Sequence, residues 1–212
     1  MPLALARLAV AALALAALIT QVVLSVTAGG ARVLANMFSY FTVLSNVLGT
    51  VMFVVTSVLA LSGRGTTGRS LTVVRCVATI ALIITGVVFF ALLRNEDVQI
   101  GQAWINIVMH YVMPVAALVD WLVTRRARLQ LRDVPWLLAY PIAYLVYSLI
   151  RGAIVTWYPY PFIDLRTRSG GEVALAALAI GAAFAVVGIV LVLLPARRSD
   201  SGARTAHPRT SL

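Results

Sequence analysis

The chain has no lysine, a single cysteine, and among its 212 residues only 7 acidic side chains and 2 histidines. Each shortage removes a class of protein. One thiol, Cys76, makes neither an intrachain disulfide nor a thiolate metal cage. His207 lies in a polar terminal stretch far along the chain from His110, so no multi-histidine metal site is expected, and no cofactor. Charge is scarce as well: 11% of residues are charged against 61% hydrophobic, with a mean hydropathy of +0.97. A soluble domain carries about twice that charged fraction, which leaves an integral membrane protein. The net charge of +10 comes from arginines scattered between apolar runs. With no basic helix and no aromatic-interleaved patch, it records membrane topology and not a nucleic-acid partner. Lysine-free, Ala/Val/Leu/Arg-rich usage fits GC-rich codons and points to a bacterial plasma (inner) membrane.

What is present are apolar runs of about 20 residues, the length of a transmembrane helix. They predict an all-α bundle of six transmembrane helices over 2–27, 38–61, 71–93, 103–124, 134–156 and 172–194. The breaks carry Gly29-Gly30, Ser62-Gly63-Arg64-Gly65, Asn95-Glu96-Asp97 and a proline- and glycine-bearing stretch over 157–171. Residues 1–194 form the membrane domain, and 195–212 read as a disordered Arg-rich tail. The first apolar run exceeds the usual signal-peptide core of about 7–15 residues, so it reads as a retained helix. Arg7, Arg64, Arg69, Arg75, the 125–132 cluster and the tail arginines fall on one side, which puts both termini in the cytoplasm.

Polar residues inside the spans carry the functional signal. Thr42, Ser45, Asn46, Gly49 and Phe53 form one stripe of the second helix, at about 100° per residue. Asn106, His110, Met113 and Pro114 form another on the fourth. Pro114 lacks the N–H that would bond the His110 carbonyl, so a bend is expected beside an ionisable side chain. Tyr140, Tyr144, Tyr147 and Arg151 share a face of the fifth helix. Arg75 and Asp120 lie about 6 Å inside the cytoplasmic boundary, counting 1.5 Å per residue, and are expected to pair as a structural link.

Counted from the opposite face, Thr42 lies about 6 Å deep, His110 about 10 Å and Arg151 about 6–8 Å. A hydroxyl and an imidazole in one low-dielectric layer are the parts of a nucleophile and its base. Asn46 or Asn106 is placed to donate to an oxyanion. Arg151, with Arg94 at the outer mouth, suits a substrate carboxylate. No carboxylate is clearly positioned to orient His110, although Asp97 and Asp164 sit in outer loops.

Phe41-Thr42-x-x-Ser45-Asn46, His110-x-x-x-Pro114 and the aromatic loop Trp157-Tyr158-Pro159-Tyr160-Pro161-Phe162-Ile163-Asp164 resemble the androgen-induced/ADTRP-like membrane protein family, in its bacterial branch. The resemblance extends over all six spans. It implies an intramembrane threonine hydrolase of lipid esters, such as fatty acid esters of hydroxy fatty acids, with Thr42 as nucleophile and His110 as base. Tyr147, Trp157 and Tyr160 would join Arg151 around the substrate, and the partners would be membrane lipids. Two other readings stand beside it. One is a non-catalytic scaffold or sensor in which Thr42 and His110 only hydrogen-bond. The other is a small transporter, against which stand the lack of an internal repeat and of spans broken by paired Gly/Pro.

Overall fold

A computed structural model describes residues 1–93, 102–124 and 127–195. Arg94, Glu96, Asp97, Arg125, Arg126, His207 and all of the tail but Pro195 lie outside those residues. Among the described residues six helices are long and apolar enough to cross a membrane: α1 Pro2–Met37, α2 Phe41–Leu61, α3 Arg69–Leu93, α4 Ala103–Val123, α5 Leu131–Val155 and α6 Gly170–Leu193. No strand is present among them. This is the arrangement that lipid demands, since each helix satisfies its own backbone hydrogen bonds.

The first helix runs on past its expected end. Gly29-Gly30 breaks it, with Gly30 at φ +63°, ψ −145°, a conformation that suits glycine. Helical turns then resume to Met37 and deliver the chain to Tyr40, where α2 starts.

The central helix is α3, which packs against α2, α4, α5 and α6. It can do so because Thr79, Ile80, Ala81 and Leu82, four consecutive positions that together span its circumference, are all buried. The outer helices α5 and α6 instead expose Ile154, Leu175 and Leu178, the apolar surface a helix turns to lipid.

The bend expected at Pro114 takes a definite form. The turn before it, Val108–Val112, widens to a π-helix. A missing N–H at Pro114 and the crowding of its ring against the His110 carbonyl are relieved by one extra residue in the turn. A second π-turn, Phe89–Leu93, ends α3 beside it.

At the end of the bundle where the chain starts, Asp120 is gripped from two sides. Arg7 Nε donates to its Oδ1 at 2.6 Å and Arg75 Nη2 to its Oδ2 at 2.9 Å. Arg7 Nη2 also donates to Thr124 Oγ1 at 2.7 Å. The link thus joins three helices, α1, α3 and α4, where the sequence had suggested two. Arg7, counted at first only for topology, is its third member.

Candidate active site

The α1–α2 turn presents Thr42 on the first turn of α2, and four side chains of α5 hold that turn from one side. Tyr140 OH meets Ser45 Oγ at 3.3 Å. Tyr144 OH donates to the Ser39 carbonyl at 2.9 Å and accepts from the Phe41 N–H at 3.1 Å. Tyr147 OH lies 2.9 Å from Ser39 Oγ. Arg151 Nη2 donates to Asn36 Oδ1 at 2.7 Å, and its guanidinium lies over Trp157, 5.1 Å from the ring centroid. The α5 stripe is therefore a ladder of ties to residues 36–45. Tyr147 and Arg151, read from sequence as substrate contacts, are engaged in positioning the turn that carries Thr42. Arg151 Nη1 is buried and has no hydrogen-bond partner.

Thr42 and His110 meet. Thr42 Oγ1 is 3.4 Å from His110 Nε2, and both residues are buried, at 6% and 2% exposure. The other ring nitrogen, Nδ1, lies 3.1 Å from the Asn106 carbonyl oxygen. A carbonyl only accepts, so Nδ1 carries the proton and Nε2 offers its lone pair toward the threonine. This backbone carbonyl does for the tautomer what a buried carboxylate does in a Ser-His-Asp site. The ring is fixed from its face as well: Phe89, in the π-turn of α3, stacks on it with centroids 3.9 Å apart and planes 21° apart.

Asp164 does not supply a third member. It accepts from the Arg166 backbone N–H at 2.9 Å and from Arg166 Nε at 2.9 Å. Arg166 Nη1 in turn donates to the Thr156 carbonyl at 2.7 Å, closing the loop after α5. Those Arg166 bonds hold the Asp164 carboxyl below its usual range, despite the opposing effect of burial.

The loop reaches Thr42 through Tyr160. Its hydroxyl lies 3.4 Å from Thr42 Oγ1 and accepts from the Thr42 N–H at 3.3 Å. The Tyr160 ring stacks on Phe162 and packs edge-on against Tyr40, which in turn meets Trp157. Burial pushes the Tyr160 hydroxyl up from its ordinary value, so it stays a neutral donor at physiological pH.

Asn46 does other work than oxyanion binding. Asn46 Nδ2 donates to the Thr42 carbonyl at 2.8 Å and to the Met109 carbonyl at 3.3 Å. With both amide hydrogens spent, it ties α2 to α4. Asn106 contributes its backbone carbonyl to His110. The Tyr160 hydroxyl faces Thr42 Oγ1, and the Thr42 N–H, at the positive end of the α2 dipole, is given to its oxygen.

One participant escaped sequence reasoning altogether. Thr50, Thr56, Thr72 and Thr79 each donate to the carbonyl four residues back. Thr85 Oγ1 is buried and makes no hydrogen bond. It lines the same cavity as Thr42, a space of about 530 Å³ among α3, α5, α6 and the 160–163 turn. Apart from Thr42, Thr85, Tyr144 and Tyr160, the walls are apolar. Among the described residues no group of three or more His, Cys, Asp or Glu side chains is arranged to hold a metal ion.

No family model, no curated protein and no solved structure matches the chain.

Proposed function

We propose that the protein is an intramembrane threonine hydrolase that cleaves lipid esters through an acyl-threonine intermediate. The observation that carries this reading is the buried contact between Thr42 Oγ1 and His110 Nε2 at 3.4 Å, with Nδ1 tied to the Asn106 carbonyl. A nucleophile–base distance somewhat beyond an ideal hydrogen bond is usual before substrate binds.

In the first half-reaction, Thr42 Oγ gives its proton to His110 Nε2 and bonds to the ester carbonyl carbon. The Tyr160 hydroxyl, polarised by the Thr42 N–H that it accepts, stabilises the negative charge that develops on the carbonyl oxygen. The carbon–oxygen bond to the alcohol then breaks, and the departing oxygen takes the proton from His110. Next, water gives a proton to Nε2 and attacks the acyl carbon. Thr42 leaves with that proton. The products are a carboxylic acid and an alcohol, and both side chains are restored.

The apolar cavity beside Thr42 suits an acyl chain, and its size falls in the ordinary range for small-molecule sites. With the termini in the cytoplasm, the site lies in the outer layer of the membrane and the Trp157/Tyr160 loop at the interface, where such rings are favourable. The resemblance of the Thr42, His110 and 157–164 segments to the androgen-induced/ADTRP-like family points to the same chemistry. A transporter fits less well. A Cβ built on Gly49 would meet Leu82 and Met113, so apolar side chains pack closely between the Thr42 layer and the Asp120 layer.

The test is covalent labelling of the membrane-embedded protein with an alkyl fluorophosphonate probe. The wild type should label, and Thr42→Ala and His110→Ala should not, at unchanged thermal unfolding in detergent. Equal labelling of the wild type and Thr42→Ala would end the proposal.

A further inference from the structure

Thr42 stands in the wall between two cavities. One is the apolar space of about 530 Å³. The other, of about 140 Å³, is lined by Gln21, Ser25, Asn36, Tyr40 and Trp157, among others. Among the described residues Thr42 is the single one common to both linings. We infer that these cavities divide the ester between them, with a long acyl chain in the larger and a small uncharged polyol, of glycerol size, in the smaller. This rests on the threonine-hydrolase reading and specifies its substrate.

The direction of the division follows from the position of the acid. The group that protonates the departing oxygen must face the alcohol half, and that group is His110 on α4. The larger cavity is lined from α2, α3, α5, α6 and the 160–163 turn, with no residue of α4. The smaller one is lined by Met109, the residue before His110. The alcohol therefore lies on the α4 side, in the small pocket, and the acyl chain on the other.

Size and chemistry decide what each half is. At about 140 Å³ the small pocket has about a quarter of the room of the larger one, which suits a three-carbon polyol better than a second long chain. Its amide and hydroxyl groups suit hydroxyls. Among the described residues no charged side chain lines it. The nearby Arg151 guanidinium is held by two residues of that wall, Asn36 and Trp157. In the larger cavity Gly181 faces open space, so a side chain added there shortens the room for the acyl chain.

The experiment uses the full chain in lipid nanodiscs with mass-spectrometric detection of released fatty acid. The substrates are monooleoylglycerol, monooctanoylglycerol, the oleoyl ester of a short hydroxy acid and the oleoyl ester of a hydroxystearate. Monooleoylglycerol should exceed both hydroxy-acid esters by about tenfold or more in kcat/KM, the scale on which a misfit group is rejected. Gly181→Phe should shift preference from oleoyl to octanoyl at constant glycerol. Val33→Phe, in the small pocket, should slow both glycerol esters alike. Equal cleavage of the hydroxystearate ester, or an unchanged chain-length profile in Gly181→Phe, would overturn the division. Preference for the short hydroxy acid would overturn the uncharged character of the pocket. Thr42-dependent fluorophosphonate labelling without cleavage of monooleoylglycerol would overturn the division alone. Absence of both labelling and cleavage would take the hydrolase reading with it.

Discussion

Gly86 of α3 lies against the backbone carbonyl of His110: a Cβ built on Gly86 would come within 2.9 Å of that oxygen and 3.2 Å of Pro114 Cγ. The partner atoms are backbone and a proline ring, neither of which can swing aside. Gly86→Ala should therefore push the α4 turn away from α3 and widen the Thr42–His110 gap. Overpacking of this kind costs about 1–3 kcal/mol, within what the fold can absorb. The expected result is a protein that still unfolds cooperatively in detergent but labels much more slowly with the fluorophosphonate. Wild-type labelling would show that this contact does not position the base.

Thr85→Val is close to isosteric and removes a hydroxyl that is buried without a partner. Relief of such a group contributes about 1–3 kcal/mol, so the variant should unfold at the same temperature or higher. If the hydroxyl serves the acyl group or the water in the cavity, hydrolysis should fall while stability does not. Paired melting and turnover measurements separate the two effects. A loss of both together would assign Thr85 to packing.

Tyr160→Phe keeps the ring on Phe162 and Tyr40 and deletes the hydroxyl beside Thr42. Loss of one oxyanion donor lowers kcat by about a hundredfold or more, with KM little changed. A change confined to KM would make Tyr160 a wall of the pocket and nothing more.

Asp120→Asn leaves the guanidinium groups of Arg7 and Arg75, each 4% exposed at the side chain, without their shared carboxylate. Breaking a buried ion cluster from one side typically costs about 3–5 kcal/mol. Thermal unfolding should drop sharply for this variant and less for Asp120→Asn combined with Arg7→Met, in which one orphaned charge is also gone.

The Asp164–Arg166 clasp predicts an acid-sensitive loop. Because the folded carboxyl is held below its ordinary value of 3.8, its contribution is complete above that value and is lost as pH falls through the lower, folded one. Protease cleavage within 157–168 should rise on that acid limb in the wild type. In Arg166→Gln it should be raised already at neutral pH and depend less on acid.

Much of this architecture is written in the sequence, for a physical reason. Transfer of apolar residues into lipid is a per-residue quantity, so six spans emerge from hydropathy, and Thr42 and His110 stand out because polar groups are rare there. Partnership is a different matter. The Tyr140–Arg151 stripe was visible as a stripe, but nothing in its spacing says that it binds the α1–α2 turn and not a ligand. Asn46 was visible as a group needing a partner, yet its partners are backbone carbonyls that carry no sequence mark. The bend at Pro114 was visible, but not its widening into a π-turn at Val108–Val112, nor the second π-turn at Phe89–Leu93. The unpaired hydroxyl of Thr85 depends on packing and looks in sequence like every other helix threonine.

The Asn106 carbonyl behind His110 has a consequence for where such a site can exist. A carboxylate in that position would bring a permanent ion into the layer and would need its own counter-charge or water to remain there. A peptide oxygen brings only a dipole already embedded in the helix. The Thr42–His110–Asn106 relay is thus electrically silent between turnovers. As the proposed hydrolase it would acquire charge only while an ester is being cleaved, and at rest it needs no solvent channel to keep it stable.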